Sequence, residues 1–260
     1  ARGALGAGII EEGKMLCGIG TSGVVLSFEA TCEQENDGKV HFFNHSVPNA
    51  YYSMGVTLAA GYSLSWFKDI FAPNETFEQL LSEVITVPVG SNGLLFTPYL
   101  VRERTPHVDA TIRASFTGID SNNQRKHFVR AVLEGITFSL NETVQIFREN
   151  GKKITTIVSI GGGAKNDTWL QMQADIFNAK VIKLTSEQGP GMGAAMIAAY
   201  GCKWFSTFQS CADVFLQEEK YYLPHPENVK KYEKLFSLYQ QIYSNSNQLH
   251  QQLDTFRNEL

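Results

Sequence analysis

The 260-residue chain carries 22 Lys and Arg against 26 Asp and Glu, a formal net charge of −4. That mild acidity argues against a nucleic-acid partner, which needs a basic stripe. With 43% hydrophobic and 18% charged residues, the chain can bury a core and does not read as disordered. No apolar run approaches the roughly 20 residues that cross a bilayer, so no membrane partner is expected. The opening ARGALGAGII lacks the apolar core of a signal peptide. Cys17, Cys32, Cys202 and Cys211 are scattered without a CxxC pair, which fits a reducing cytosol better than a disulfide framework and gives no zinc-ligand spacing. The chain opens on Ala1 within a Gly- and Ala-rich stretch, and we expect it to be a piece of a longer protein.

In chain order, residues 5–10, 15–19 and 24–28 read as short strands, joined by the turns Glu11-Glu12-Gly13-Lys14 and Gly20-Thr21-Ser22-Gly23. Residues 40–43 suggest an edge strand. Met54, Leu58, Tyr62, Trp66 and Ile70 recur every fourth position and predict a helix over 54–71, stopped by Pro73. A short amphipathic helix over 77–84 follows, then a strand over 94–100 and a polar loop over 102–110. Val129, Leu133, Ile136, Leu140, Val144 and Phe147 form one stripe of a long helix over 125–150, with Gly151 at its stop. Residues 154–160 read as a buried strand ending in Gly161-Gly162-Gly163, and Asn166 or Asp167 can cap the next helix, to about 178. A strand over 181–184 precedes a glycine turn over 189–193 that opens a helix over 194–200. The tail from Glu227 predicts a long helix with Leu235, Leu238, Ile242, Leu249 and Leu253 on its apolar side. That side can pack on the domain or on a second copy, so a homodimer is left open. Three strands followed by alternating helices and strands predict an α/β fold with a mixed sheet flanked by helices.

Three glycine turns follow predicted strands, at residues 20–23, 161–163 and 189–193. Glycine lets backbone N–H groups approach an anion, a hydroxyl such as Thr21 or Ser22 adds a donor, and a following helix N-terminus adds positive potential. Each turn taken singly can merely reverse the chain; three at strand ends point to a nucleotide. There is no GxxxxGK[ST], so the chain is not a P-loop protein. Gly189, Gly191 and Ala194 satisfy G-x-G-x-x-A, which keeps a dinucleotide-dependent dehydrogenase as a rival, although no acidic strand end follows about 20 residues later. GTSG is not the GxSxG elbow, so Ser22 is no hydrolase nucleophile. His41 and His45 lie four apart in a strand or loop, a poor metal spacing there. The loop over 98–107 reads either as solvated, with Arg102 and Arg104 paired to Glu103 or Asp109, or as a rim near a phosphate.

The runs ASFTGI at 114–119 and HFVRAVLE at 127–134, with GIGTSG at 18–23, FTPYLVRERTPH at 96–107, IGGGAKN at 160–166 and GPGMGAA at 189–195, resemble the signatures of the FGGY carbohydrate kinases, in the same order along nearly the whole chain. Within that family, ERTPH and GPGMGAA are most similar to the branch acting on xylulose rather than on glycerol or ribulose. Val101 departs from that branch, which has Gly there, and the gluconate branch is a close relative. The resemblance implies an actin-like ATPase (ribonuclease H-like) domain, the second of two, spanning residues 1–260, in which 31–110 includes an insertion or loop region and 226–256 is a C-terminal helix. It implies ATP/ADP and Mg²⁺ as cofactors, and sugar bound through an N-terminal domain outside this sequence. Its catalytic Asp would fall just before Ala1, so no catalytic residue is expected in this chain. Gly20, Thr21, Ser22 and Gly23 would hold the β- and γ-phosphates, Gly162, Gly163 and Asn166 would line the adenosine, and Gly61 would lie close to the nucleotide. A non-catalytic actin-like interaction module is the other rival.

Overall fold

Two kinds of sequence pattern build the molecule: short β-rich runs that fill one sheet, and apolar helices that cover both of its faces. The computed structural model describes residues 1–32, 38–186 and 189–259. After α1 (Arg2–Gly6), β1 (Lys14–Ile19) and β2 (Gly23–Glu29) form a hairpin; β3 (His41–Asn44) and β4 (Tyr51–Thr57) extend it antiparallel. α2 (Gly61–Phe71) and α3 (Phe77–Leu81) lead to a small separate pair, β5 (Leu95–Thr97) with β6 (Ser115–Thr117). Then come α4 (Arg125–Glu149), β7 (Thr156–Gly161), α5 (Asp167–Phe177), β8 (Lys180–Leu184), α6 (Gly189–Gly201), α7 (Phe208–Phe215), β9 (Glu218–Tyr222) and α8 (Pro226–Asn258). The seven-stranded sheet runs β3-β4-β2-β1-β7-β8-β9, with β1, β7 and β8 parallel and the remaining pairs antiparallel. This is the mixed sheet that the pattern predicts.

Alternation along β1 shows why both faces are covered. Met15, Cys17 and Ile19 join the core shared with α2, α4 and α5, whereas Leu16 joins Ala4, Ala7 and Ile9 on the opposite face. α4 is buried along most of its length and packs against α2, α5, β2, β4 and β5. It comes so close to β5 that a Cβ on Gly135 would lie 2.0 Å from the Phe96 carbonyl oxygen. On the other face α6 packs against α1 and α7.

Several expectations are corrected. Residues 5–10 are no strand: Leu5 belongs to α1 and is buried beside Met196, Phe208 and Cys211. A short Ala- and Leu-rich apolar run fits either element, and alanine favours the helix. The helix expected over 54–71 starts only at Gly61. Met54, Val56 and Thr57 complete β4, paired with Leu26, Val24 and Gly23. The described residues over 38–110 supply β3, β4 and α2 to the main layers. The glycine turn at 189–193 is already helical, the first residues of α6. On α8 the packed face runs through Val229, Tyr232, Tyr239 and His250, with Leu235 and Ile242 half-buried beside it, and Leu238, Leu249 and Leu253 are exposed. β4, β6, α7 and β9 were not anticipated. The four cysteines are free thiols, and no helix of the described residues is long and apolar enough to cross a membrane.

Candidate functional site

Parallel β1 and β7 end side by side, with Ile19 opposite Gly161. A cleft of about 830 Å³ opens beyond them, where ligands of α/β sheets sit. The β1–β2 turn, the first turn of α2, α3 and the Gly161–Asn166 bend into α5 form its walls. The cleft brings together Gly20, Thr21, Gly61, Gly162, Gly163 and Asn166. Ser22 is exposed outside its lining, and Gly23 is buried: a Cβ there would lie 2.7 Å from Thr57 Cγ2 and 2.8 Å from Leu140 Cδ2. Gly23 is a packing glycine of the β2–β4 pair, and neither it nor Ser22 is in the lining.

The turn is held by the start of α2. Gly61 N–H donates to the Gly20 carbonyl (2.8 Å) and Tyr62 N–H to the Thr21 carbonyl (3.1 Å). Thus two N–H groups of the helix terminus that have no helical partner are satisfied by the turn, and the turn's carbonyls are directed at the helix. The backbone N–H groups of Thr21 and Ser22 have no acceptor among the described residues, which leaves them for an anion. Gly61 must be glycine for this contact, since its Cβ would lie 2.4 Å from the Gly20 oxygen. Opposite, Gly161 adopts φ 81° and ψ −157°, a conformation that only glycine takes without strain. Gly162 is exposed, and a Cβ there would meet the Ile19 carbonyl oxygen at 3.5 Å, an ordinary contact. Asn166 caps α5, its Oδ1 accepting from Trp169 N–H at 2.9 Å.

Aromatic and aliphatic side chains line the rest of the cleft: Tyr62, Leu64, Phe77, Leu81 and Trp169. Sequence reading placed Tyr62 on an apolar helix stripe and did not single out the others, because α3 reaches the cleft only through tertiary packing. Glu78 and Asp167 are its acidic side chains. Asp167 is held below the usual carboxylate range by bonds from Lys220 (2.6 Å) and Tyr222 (2.7 Å), so it is committed to the β9 edge.

The third glycine segment is not part of this cleft. A Cβ on Gly6 would lie 1.8 Å from the Gly189 oxygen, and one on Gly193 would lie 2.0 Å from the Arg2 oxygen. The α1 backbone fills the space that a pyrophosphate would need, and the dinucleotide reading of Gly189, Gly191 and Ala194 fails for that reason. Among the described residues no group of three His, Cys, Asp or Glu could hold a metal; His45 is buried, accepts from Val47 N–H, and is pushed down to about 4 by burial. In the 98–107 loop Glu103 is buried rather than paired with Arg102 or Arg104, which are exposed.

The description "FGGY family of carbohydrate kinases, C-terminal domain" matches residues 15–202. The chain belongs to this family. A xylulose kinase of Bacillus subtilis (strain 168) is 60% identical over 99% of the chain and 52% of its own length. A xylulose kinase of Staphylococcus epidermidis (strain ATCC 12228 / FDA PCI 1200) is 51% identical over 99% of the chain and 52% of its own length. The crystal structure of ligand-bound xylulose kinase from Lactobacillus acidophilus superposes with a TM-score of 0.90 at 27% identity, covering 97% of this chain and 51% of that one. The chain therefore spans about half the length of the family members it matches.

Proposed function

We propose that this chain is the nucleotide-binding half of an ATP-dependent sugar kinase that transfers the γ-phosphate to D-xylulose, giving D-xylulose 5-phosphate. The observation that carries the reading is the convergence of Gly20, Thr21, Gly61 and Gly162 on one cleft at the ends of β1 and β7. The identity to xylulose kinases supports the choice of sugar.

Phosphoryl transfer asks little covalent chemistry of a protein; it needs positioning and charge stabilisation. The Thr21 hydroxyl and the Thr21 and Ser22 N–H groups would hold the β- and γ-phosphate oxygens. Gly162 would let the nucleotide approach the backbone, while Trp169, Leu81 and Phe77 would cover the base. Mg²⁺ would neutralise phosphate charge; among the described residues the cleft offers it Glu78 as the one acidic side chain not already bonded, since Asp167 is held by Lys220 and Tyr222. It would be carried chiefly by the phosphates. No residue here is given the proton-accepting role; the family's Asp is proposed to precede Ala1, beside α1, and the sugar to be bound by the other half. Closure of the two halves would exclude water.

The test is calorimetry of the 260-residue chain with Mg·ADP. Weak, saturable binding is expected, together with no sugar phosphorylation by the chain alone. An absence of heat at millimolar ADP would remove the nucleotide assignment, and formation of xylulose 5-phosphate by the pure chain would overturn the placement of the base.

A further inference from the structure

Glu103 is a buried carboxylate, 2% exposed, on a loop that does not line the cleft. Its Oε2 accepts from Thr57 Oγ1 at 2.5 Å, and its Oε1 accepts from the backbone N–H groups of Leu58 (3.2 Å) and Arg104 (2.7 Å). Thr57 also accepts from Ser139 Oγ of α4 at 2.9 Å. Thr57 and Leu58 are the last residue of β4 and the first of the bend leading into α2, and the next turn of chain delivers Gly61 and Tyr62, whose N–H groups hold the carbonyls of Gly20 and Thr21. Thr57 also lies directly under the turn, with its methyl against Gly23. Neighbouring Thr105 ties the same loop to β4 through both of its backbone and side-chain bonds with Val56. Two hydrogen-bonded anchors, Glu103 on Thr57 and Leu58 and the Gly20–Thr21 turn on Gly61 and Tyr62, are thus separated by only the short covalent link through Ala59 and Ala60.

We propose that Glu103 is a positioning residue for the nucleotide cleft: it fixes the junction between β4 and α2, and α2 then fixes the Gly20–Thr21 turn. The proposal rests on the nucleotide reading of that cleft. Burying a carboxylate is costly unless its bonds are completed, and the bonds of Glu103 go to the one junction from which the turn is held. Glu103→Gln can keep all of these contacts, because the Gln oxygen accepts from Leu58 and Arg104 while its NH₂ group donates to Thr57, whose hydroxyl then donates to Ser139. Glu103→Ala cannot, and Thr57→Val removes the partner hydroxyl while preserving the methyl packing.

The experiment compares E103A, E103Q, T57V and, as a stability control, Ile154→Ala at the opposite end of the sheet. Mg·ADP affinity is read by calorimetry, and amide hydrogen exchange of Gly61 and Tyr62 is read without nucleotide. E103A and T57V should weaken ADP by about tenfold and speed exchange at both amides, whereas E103Q and I154A should stay within about threefold of the parent. T57V gives the answer if E103A does not fold. Parent-like ADP affinity and exchange in T57V, or equal losses in I154A, would overturn the proposal. If the parent chain binds no ADP, the nucleotide reading fails by itself, and the exchange measurement still decides whether Glu103 holds the turn.

Discussion

Two glycine-rich segments that look alike in sequence, GIGTSG at 18–23 and GPGMGAA at 189–195, do opposite things in the fold. In the first, Gly20 lines the cleft and Gly61 lets a helix start touch the turn, so the turn borders a cavity with the N–H groups of Thr21 and Ser22 left without an acceptor among the described residues. In the second, Gly193 receives the backbone of α1 at a separation that no side chain would allow, and Gly6 of α1 does the same against the Gly189 carbonyl, so the glycines close a cavity. A glycine removes a Cβ; whether a ligand or another piece of chain takes the space depends on what the fold brings there. The closed contact is still placed for function: Gly189 lies against Ile160, one residue before the Gly161–Gly163 run, so α1 is docked beside the strand ends that carry the cleft.

The sharpest way to break this contrast is Gly6→Ala. Its Cβ would press on backbone atoms of Gly189 and Gly193, 1.8 and 2.6 Å away, and neither can yield as a flexible side chain would. Urea unfolding should show a loss of about 3 kcal/mol, the upper end of overpacking costs. Mg·ADP affinity of the folded protein should stay within about twofold; a large loss of ADP affinity would mean that the second segment belongs to the nucleotide site after all. Next in size is Thr21→Ala, which removes a hydroxyl proposed to meet phosphate and should cost about 1.5–3 kcal/mol of ADP binding, as a charge-assisted bond does. The same loss should appear in kcat/KM of the complete enzyme. Ser22→Ala, just outside the lining, should change neither. Equal effects at both positions would mean that the turn is read as a whole and not through the residue that faces the cleft.

These two segments also show how far a sequence can be read. The first was legible because its evidence is local: β-rich runs on both sides of a four-residue turn form β1 and β2 with almost the expected bounds. Asn166 was legible in the same way, as a short polar side chain before a helix. The fate of GPGMGAA was not legible, because it is decided by α1, which lies more than 180 residues away in the chain. The place of Glu103 was left open for a related reason. Two flanking arginines allow a solvated ion pair as readily as a rim near a phosphate, and the side chain it bonds in the fold is Thr57, at the end of β4. β9 escaped notice because only Tyr222 of Glu218–Tyr222 is buried, so an edge strand shows no alternation.

The two segments differ, finally, in what pH can reach. The α1–α6 contact is backbone against backbone, whereas the cleft turn hangs on the Glu103 carboxylate. Burial pushes that carboxyl up to about 7, assisted by the charge of nearby Glu142 and opposed by the bonds from Thr57, Arg104 and Leu58. Glu142 on α4 is itself raised by burial, with His107 opposing, and Tyr99 and Tyr239 lie within reach of both carboxyls. The folded state therefore holds the Glu103 proton more tightly than the unfolded chain, whose carboxyl titrates near 4.5. The stability this gives is full below about 4.5 and is lost as pH rises through about 7, because only the folded state then still binds the proton. Between pH 5 and pH 8 the loss should be about 2 kcal/mol. Glu103→Gln has no proton to lose, so its Tm advantage over the parent should grow from pH 5 to pH 8, while Gly6→Ala should shift the whole profile down without changing its shape. Parallel profiles for E103Q and the parent would show that Glu103 keeps one protonation state throughout, and the cleft turn would then be as indifferent to pH as the α1–α6 contact.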